Sequence, residues 1–282
     1  MPIDSGHVRS IIHDAARAEV VPRFRALARG DVREKQPGDL VTVADEAAEA
    51  YLQRRLPPLV AGSVCLGEEA AAEDRGVLDK LSADAPVWVI DPIDGTGNFA
   101  AGRGPFAVMV ALVEIGVTQA AWIHEPVAGW TAEAVRGQGA WLNGEPLRVS
   151  TPVSPGDPAS LHGTLHAGQF GSRAMQKRID RGGAALGRLK SLRCAGAEYV
   201  RLARGEQDYS LFTKLEPWDH APGTLIHTEA GGLAHLLDGT AYTPGRRESE
   251  GLLLAPDAAT WRTVHDALYP EAVSPRGESG TD

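Results

Sequence analysis

Residues 88–99 have the sequence Trp88-Val89-Ile90-Asp91-Pro92-Ile93-Asp94-Gly95-Thr96-Gly97-Asn98-Phe99, and this stretch decides the fold. The apolar run Val87–Ile90 predicts a buried strand, and the Pro, Asp, Gly and Asn residues behind it predict that the strand ends abruptly. Pro92 has a fixed φ and no amide hydrogen, so Asp91 and Asp94 are expected to lie around a rigid turn. Both carboxylates can then point into one small volume.

Two carboxylates at the end of one strand would repel each other, which raises one pKa unless a cation or a proton intervenes. A hard divalent cation with oxygen ligands would relieve that repulsion. The segment Gly95–Asn98 adds permissive backbone and a hydroxyl, a composition suited to presenting amide hydrogens to an anion at a helix start. The structural alternative is that Asp91 caps a turn and Asp94 caps a helix.

The whole stretch resembles the signature D-P-[IL]-D-G-[ST]-x-N-[FY] of the inositol monophosphatase family, which belongs to the magnesium-dependent, lithium-sensitive phosphatases. The match is long and nearly complete. The resemblance implies an α/β fold, a layered α/β/α/β/α sandwich that commonly forms dimers. The implied division is an α+β part at residues 1–150 with most metal ligands and an α/β part at 151–269. The Gly-, Pro-, Ser- and Glu-rich composition of residues 270–282 predicts a disordered tail.

Composition agrees with a globular protein that can bury a large core. The chain has 282 residues, 43% of them hydrophobic, and a net charge of -9, which disfavours electrostatic binding of nucleic acid. It has two cysteines, Cys65 and Cys194, and we find no resemblance to a signal peptide and no apolar run long enough to span a membrane. These features predict a cytoplasmic protein without a membrane partner.

Hydrophobic periodicity and turn residues predict the order of elements. Helices are expected at Ser5 to about Ala28 with a break at Pro22, at Val43–Leu56, at Met175–Leu186, at Glu198–Ala203, from Asp219 towards Glu229, and at Ala258–Leu268. Strands are expected at Val64–Leu66, Phe106–Ile115, Thr118–His124, Trp130–Arg136, Ala140–Leu142, Gly163–Ala167, Leu189–Cys194, Asp208–Phe212, Gly231–Leu237 and Gly251–Ala255. The segment Arg29–Asp39 is expected to be a loop, and Ser150–Ser160 to be the boundary between the two parts.

Two segments before the central stretch also resemble the family. The segment Asp39–Asp45 resembles D-x-V-T-x-x-D, which implies that Lys35 in the preceding loop, and less directly Asp45, lie near the active site. Gly67-Glu68-Glu69 resembles the G-E-E element, whose first Glu binds metal and orients the attacking water. Taken alone, each of these residues would more often be a solvated charge or a helix cap.

A third segment, Trp218-Asp219-His220-Ala221-Pro222-Gly223, resembles W-D-x-A-[AG]-G. It implies that Asp219 is a metal ligand that also contacts the substrate, although a lone Asp here would more often cap the following helix. Pro222 departs from the pattern. Because proline is tolerated in the first turn of a helix, the departure need not displace Asp219.

The resemblance implies a complete catalytic site for hydrolysis of a small phosphate monoester, with two or three Mg²⁺ ions. Glu68, Asp91 and the Ile93 carbonyl would hold one ion, Asp91, Asp94 and Asp219 a second, and Glu68 a looser third. Glu68 and Thr96 would position and deprotonate the attacking water, and the amides of Gly95 and Thr96 would bind phosphate oxygens. The alternatives are a catalytically silent binder of metal or phosphate that acts as a regulator, and a plain α/β protein with capping acids.

The residues that contact the alcohol part of the substrate are less well defined. Enzymes specific for inositol usually carry a Glu at the position of Phe212, so an aromatic surface is expected to replace a hydrogen-bond acceptor there. Glu198 could supply a carboxylate to a hydroxyl or to a cationic amine. The sequence therefore favours a planar or amino-bearing leaving group over inositol, as in a histidinol-phosphate or nucleotide 3'-phosphate phosphatase. The alternative is that Phe212 is a core residue and Glu198 a helix-start acid.

Overall fold

The computed structural model describes residues 3–150, 152, 154, 156–166, 173–246 and 251–269. In these residues the α-helices are α1 (Ser5–Ala15), α2 (Val43–Arg55), α3 (Glu68–Glu73), α4 (Thr96–Ala100), α5 (Arg173–Gly182), α6 (Ala195–Ala203), α7 (Pro217–Glu229) and α8 (Ala258–Leu268). None of them is long and apolar enough to cross a membrane.

The strands form one hairpin and two larger sheets. The hairpin is β1 (Val32–Gln36) with β2 (Asp39–Thr42). The seven-stranded sheet contains β3 (Val64–Gly67), β4 (Val87–Asp94), β5 (Ala107–Glu114), β6 (Val117–Glu125), β7 (Trp130–Val135), β8 (Gly139–Leu142) and β9 (Glu145–Leu147), in that order. The five-stranded sheet has the order β11-β10-β12-β14-β13, with β10 (His162–His166), β11 (Gly187–Arg188), β12 (Tyr209–Phe212), β13 (Leu233–Leu236) and β14 (Leu252–Ala255).

Alternation along the central strands divides the core into layers. Trp88 and Ile90 of β4 pack in one cluster with α1 and α2, whereas Val87 and Val89 belong to a cluster on the opposite face. Met109 and Ile123 face α6 and α7, which also contact the five-stranded sheet through Phe212. On the outer face of that sheet lie α5 and α8. The order of layers is helix, sheet, helix, sheet, helix, so the predicted α/β sandwich is confirmed.

Most predicted elements are present, and five predictions are wrong. The strand expected to end after Ile90 runs on to Asp94, with a register shift between Asp91 and Asp94. Pro222, expected in the first turn of its helix, lies inside α7. The other three concern the bounds and type of elements. The first helix ends at Ala15 and continues as a π turn and a 3₁₀ turn to Arg23, since Pro22 cannot continue the α-helical ladder. The segment Arg29–Asp39, expected to be a loop, contains β1. Residues 189–194, expected to be a strand, have no regular structure, because the backbone of Leu192 bonds to the side chains of Asn98 and Glu198.

All strands of the seven-stranded sheet precede the predicted boundary, and all strands of the five-stranded sheet follow it. A division into two subdomains stays a prediction. Parts of the boundary at 151, 153 and 155 and the predicted tail at 270–282 lie outside the described residues.

Candidate active site

The central stretch ends β4 and starts α4, with Gly95 between them. Gly95 has φ +89°, a conformation that residues with a Cβ rarely adopt. A Cβ there would also come within 3.2 Å of the Arg193 carbonyl, the Cys194 Cβ and the Pro105 carbonyl. The tight turn therefore requires glycine on two grounds, and it places Asp91 and Asp94 at one edge of the sheet.

Three carboxylates meet at this edge. Asp91, Asp94 and Asp219 each offer an oxygen within 4.8 Å of the others, with Asp219 delivered by the first turn of α7. Oδ1 of Asp91 is buried and has no hydrogen-bond partner among the described residues. Burial raises the pKa of Asp91 well above its ordinary value, and the charges of Glu68, Asp94 and Asp219 raise it further. The trio is a site that can hold a metal ion, because a divalent cation would satisfy the orphaned oxygen and offset the repulsion.

Asp94 also joins β4 to the start of α6. Its carboxylate accepts hydrogen bonds from Cys194 Sγ at 3.0 Å, from Ala195 N at 3.0 Å and from Gly196 N at 2.6 Å. Burial raises the pKa of Asp94, and these three bonds oppose that rise. A carboxylate has about four lone-pair positions, so Asp94 can keep these bonds and still offer an oxygen to a cation.

The two glutamates of the Gly67-Glu68-Glu69 segment begin α3 and are paired with one lysine. Lys35 Nζ lies 2.8 Å from Oε1 of Glu68 and 3.0 Å from Oε1 of Glu69. Burial by itself would lower the pKa of Lys35, but the two carboxylates reverse that effect and keep the ammonium charged. Burial, and then the charge of Glu68, raise the pKa of Glu69 to about 8. The structure thus brings Lys35, predicted from the sequence, into contact with both acids.

Thr96 is held by Asp45, the last residue of the segment Asp39–Asp45 that resembles the family. The Thr96 hydroxyl lies 3.0 Å from Asp45 Oδ1 and 2.9 Å from the Ile93 carbonyl. Asp45 also accepts from the amide and the hydroxyl of Thr42, at 2.8 and 2.6 Å. Burial raises the pKa of Asp45 to about 7, although the Thr42 bonds lower it. Asp45 is therefore a helix-capping residue that simultaneously orients Thr96.

Glu49 was not predicted from the sequence, and it fixes the helix that bears Glu68. Its carboxylate accepts from the amides of Glu69 at 2.8 Å and of Ala70 at 3.1 Å, so it satisfies the first turn of α3. A Cβ at Gly67 would lie 2.1 Å from the Glu49 carboxyl carbon. The sequence shows only an acid in the middle of a predicted helix. It does not indicate that this acid binds the amides of Glu69 and Ala70.

Beside the carboxylates lies a cavity of about 760 Å³ that reaches the five-stranded sheet. It is lined by Asp94 and Asp219 and by residues that include His166, Arg193, Phe212 and Lys214. Phe212 is 7% exposed, so only an edge of its ring faces the cavity. Glu198 is fully buried, which excludes the predicted direct contact between its carboxylate and a substrate. His166, which lines the cavity, was not predicted.

Comparisons with known proteins show the family of the chain. The model of the inositol monophosphatase family matches residues 7–274. The fructose-1,6-bisphosphatase/inositol-1-monophosphatase of Thermotoga maritima is 32% identical over 209 residues, which are 73% of this chain and 75% of that protein. Nus factor SuhB of Pseudomonas aeruginosa is 35% identical over 231 residues, 78% of this chain and 81% of that protein. The extragenic suppressor protein suhB of Bartonella henselae has a similar fold, with a TM-score of 0.79 and 24% identity over 95% of this chain and 98% of that one.

The fold and the acidic site thus define a phosphatase-type α/β sandwich. The chain belongs to the inositol monophosphatase family.

Proposed function

We propose that this protein hydrolyses a small-molecule phosphate monoester with water activated by Mg²⁺. The observation that carries the proposal is the unpartnered, buried Oδ1 of Asp91 between two further carboxylates. Bound magnesium would supply a hydroxide-like nucleophile at neutral pH and would offset charge on the phosphoryl and leaving oxygens.

The ligand sets follow the family pattern. Glu68, Asp91 and the Ile93 carbonyl would hold one ion, Asp91, Asp94 and Asp219 a second, and Glu68 a loosely held third. Asp91 belongs to the first two sets, and its Oδ1, which has no hydrogen-bond partner among the described residues, suits that role. Gly95 and Thr96 would present their amides to the phosphate.

The hydrogen bonds around Thr96 give its hydroxyl a direction. Both partners of the Thr96 hydroxyl, Asp45 Oδ1 at 3.0 Å and the Ile93 carbonyl at 2.9 Å, are acceptors. The single hydroxyl proton therefore points towards one of them, and a lone pair of the oxygen is left to accept a proton from the attacking water. Glu68 would accept the other water proton, and Lys35 would hold Glu68 in place through their 2.8 Å contact. The positions of Thr96 and Glu68 thus depend on Asp45, Lys35 and Glu49.

The alcohol part of the substrate would occupy the cavity beside Phe212. This chain lacks a Glu at that position, so we propose that inositol 1-phosphate is not its best substrate. A planar leaving group, as in a nucleotide 3'-phosphate, would pack against the 26% exposed ring of His166 and the small exposed part of Phe212. The sequence also favoured an amino-bearing group such as histidinol, but Arg193 and Lys214 in the cavity wall disfavour an ammonium by like-charge repulsion.

Phosphate release by the purified protein, with magnesium and with EDTA, tests the proposal on a panel of inositol, sugar, nucleotide and histidinol phosphates. Activity that needs magnesium supports it, and activity that persists in EDTA would overturn it. The predicted homodimer and cytoplasmic location stay predictions.

A catalytically silent regulator is the second candidate, and the similarity to proteins named Nus factor SuhB favours it. The two candidates differ in one measurement. A protein that binds magnesium, as shown by a higher melting temperature, yet releases no phosphate from any ester of the panel would support the regulator.

A further inference from the structure

We infer that His166 is the residue that selects the alcohol part of the substrate, and that it accepts a hydrogen bond from a hydroxyl next to the ester through Nδ1. Glu198 is the positioning residue that fixes the imidazole for this task. The inference rests on the proposed phosphatase function. It assigns a role in substrate recognition to the part of the cavity wall that the proposed metal ligands do not form.

The carboxylate of Glu198 is saturated by protein donors. Oε1 accepts from Ser191 Oγ at 3.0 Å and from Leu192 N at 2.8 Å. Oε2 accepts from Thr164 Oγ1 at 2.8 Å and lies 2.6 Å from His166 Nε2. Four short contacts fill the lone pairs of a fully buried carboxylate, so Glu198 acts on a ligand only through a neighbour.

His166 is that neighbour, because it alone of the four donors lines the cavity beside Asp94 and Asp219. Its side chain is 26% exposed. The His166–Glu198 contact places the proton on Nε2, since a carboxylate only accepts hydrogen bonds. Within the described residues no hydrogen bond involves Nδ1. In the neutral imidazole Nδ1 is then an acceptor.

The ring of His166 is also fixed by packing. Phe212 stacks against it with ring centroids 4.8 Å apart and the planes 5° from parallel. Behind Phe212 lie Tyr199 at 5.7 Å and His220 at 4.8 Å. The Thr213 hydroxyl donates to the His166 carbonyl at 2.7 Å. An acceptor whose ring plane, tautomer and backbone are all held gives strong discrimination, because the site loses a hydrogen bond when the ligand lacks the donor.

The charges of the cavity decide between the two kinds of donor. An ammonium and a hydroxyl can both donate to Nδ1. The cavity wall carries the acids Asp94 and Asp219 and the cations Arg193 and Lys214. Once bound metal offsets the two acids, Arg193 and Lys214 are the charges that remain. These cations repel an ammonium and tolerate a hydroxyl. We therefore assign the donor to a neutral hydroxyl.

The test uses two esters that differ only in hydroxyls: glycerol 2-phosphate and isopropyl phosphate. Phosphate release by the full-length protein in magnesium gives the ratio of their kcat/KM values, in which any general loss of activity cancels. We expect the wild-type protein to favour glycerol 2-phosphate by roughly five- to tenfold, the range of one neutral hydrogen bond, mainly through KM.

Two substitutions at position 166 separate the acceptor from the contact with Glu198. The amide of Gln reaches the position of Nε2 and that of Asn the position of Nδ1. His166→Gln should keep Glu198 satisfied and bring the ratio close to one, whereas His166→Asn should retain most of the preference. His265→Gln, in α8, is the control and should leave the ratio at its wild-type value.

Glu198→Gln tests the positioning role. The Gln amide would keep its oxygen towards Leu192 N and turn its NH₂ towards His166 Nε2, which moves the ring proton to Nδ1 and removes the acceptor. We expect the ratio to fall as in His166→Gln, and the double variant to lose no more than either single one. Two-bond ¹H–¹⁵N NMR correlations should show the proton on Nε2 in the wild type and on Nδ1 in Glu198→Gln, whatever the activity.

The outcomes are distinguishable. A wild-type protein that releases phosphate from neither of these esters and from no ester of the panel overturns the proposed function and this assignment with it. A protein that is active on the panel but on neither of these two esters overturns the assignment alone. An active protein whose ratio is unchanged in His166→Gln overturns the assignment alone, as does an Nδ1–H tautomer in the wild type. A preference for ethanolamine phosphate over ethyl phosphate, without one for glycerol 2-phosphate, would overturn the choice of a hydroxyl.

Discussion

Replacing Asp91 by Asn should stabilise the protein without metal and destabilise it relative to the wild type with metal. Oxygens of Asp91, Asp94 and Asp219 lie within 4.8 Å of one another. Two unit charges at that distance repel by about 3 kcal/mol at an effective dielectric constant of about 20. Protonation relieves part of this, which is why the pKa of Asp91 is raised. In EDTA we therefore expect Asp91→Asn to raise the free energy of unfolding by about 1–3 kcal/mol, or about 2–4 °C in Tm for each kcal/mol.

Saturating magnesium should reverse the order of the two proteins. Ligand at a hundredfold excess over Kd stabilises the folded state by about 2.7 kcal/mol, and Asn at position 91 removes the carboxylate that the two proposed main ions would share. The variant should gain little from magnesium, and phosphate release should fall by at least about a hundredfold. Melting curves in EDTA and in magnesium, followed by circular dichroism, measure both effects.

Asp94→Asn is the matched control, because it removes the same charge from an acid with protein partners. Its NH₂ would face Cys194 Sγ or the amides of Ala195 and Gly196, which are all donors. We expect it to keep the fold, lose most activity, and melt below the wild type in EDTA by the cost of an unsatisfied buried donor, about 1–3 kcal/mol. If Asp91→Asn also melted below the wild type in EDTA, the carboxylate of Asp91 would serve the fold and the electrostatic argument would be refuted.

Three further outcomes are expected. Millimolar lithium or calcium should inhibit phosphate release, because calcium accepts irregular coordination that magnesium does not. Turnover that is indifferent to both ions would contradict the proposal that Glu68 holds a third, loosely bound ion. Comparison of kcat/KM should rank inositol 1-phosphate below the best of the nucleotide, histidinol and sugar phosphates, and a first rank for inositol would contradict the argument from Phe212. Burial, and then the charge of His13, lower the pKa of His124 from 6.5 to about 4, so its contribution is present above pH 6.5 and is lost as the pH falls towards 4. His220 and His227, whose burial lowers their pKa to about 4 as well, lose stability over the same range. Urea unfolding of His124→Asn should therefore show a smaller loss than the wild type, by up to about 3 kcal/mol, and an equally steep loss in the variant would assign the whole effect to other groups.

Elements with strong hydrophobic periodicity could be predicted from the sequence. The helix predicted at Ala258–Leu268 is α8, and the predicted strands around Gly116 are β5 and β6. The hairpin strand β1 could not be predicted, since Val32–Gln36 consists mainly of charged and polar residues and pairs only with β2. Its stability comes from contacts made elsewhere, such as those of Lys35 with Glu68 and Glu69.

The turn proposed to form the phosphate half of the site could be predicted from the sequence for a local reason, and its phosphate-binding role stays a prediction. Asp91, Ile93, Asp94, Gly95 and Thr96 lie in one contiguous turn, so a single motif specifies most of the geometry. The part of the cavity proposed to hold the alcohol, called here the alcohol half, is assembled from β10, α6, β12 and the irregular segment 189–194. Glu198 and His166 are 32 residues apart, and their 2.6 Å contact depends on the pairing of β10 with β12 and on where α6 begins. The local sequence shows only that Glu198 lies near the start of a helix. It does not show that four donors already bond to the Glu198 carboxylate.

Asp94 connects the phosphate half and the alcohol half of the proposed site, so a change in one half can affect the other. Its carboxylate belongs to the acidic trio, and it also holds the first residues of α6, the helix that carries Glu198. Loss of the Asp94 bonds should therefore loosen the start of α6 and shift His166 through Glu198. Asp91 has no such link, because its Oδ1 bonds to no described residue. A substitution at Asp94 should consequently change the preference for hydroxyl-bearing esters together with kcat, whereas a substitution at Asp91 should reduce kcat and leave the preference of the residual activity unchanged. Equal preferences in the two variants would mean that the alcohol half is held without Asp94.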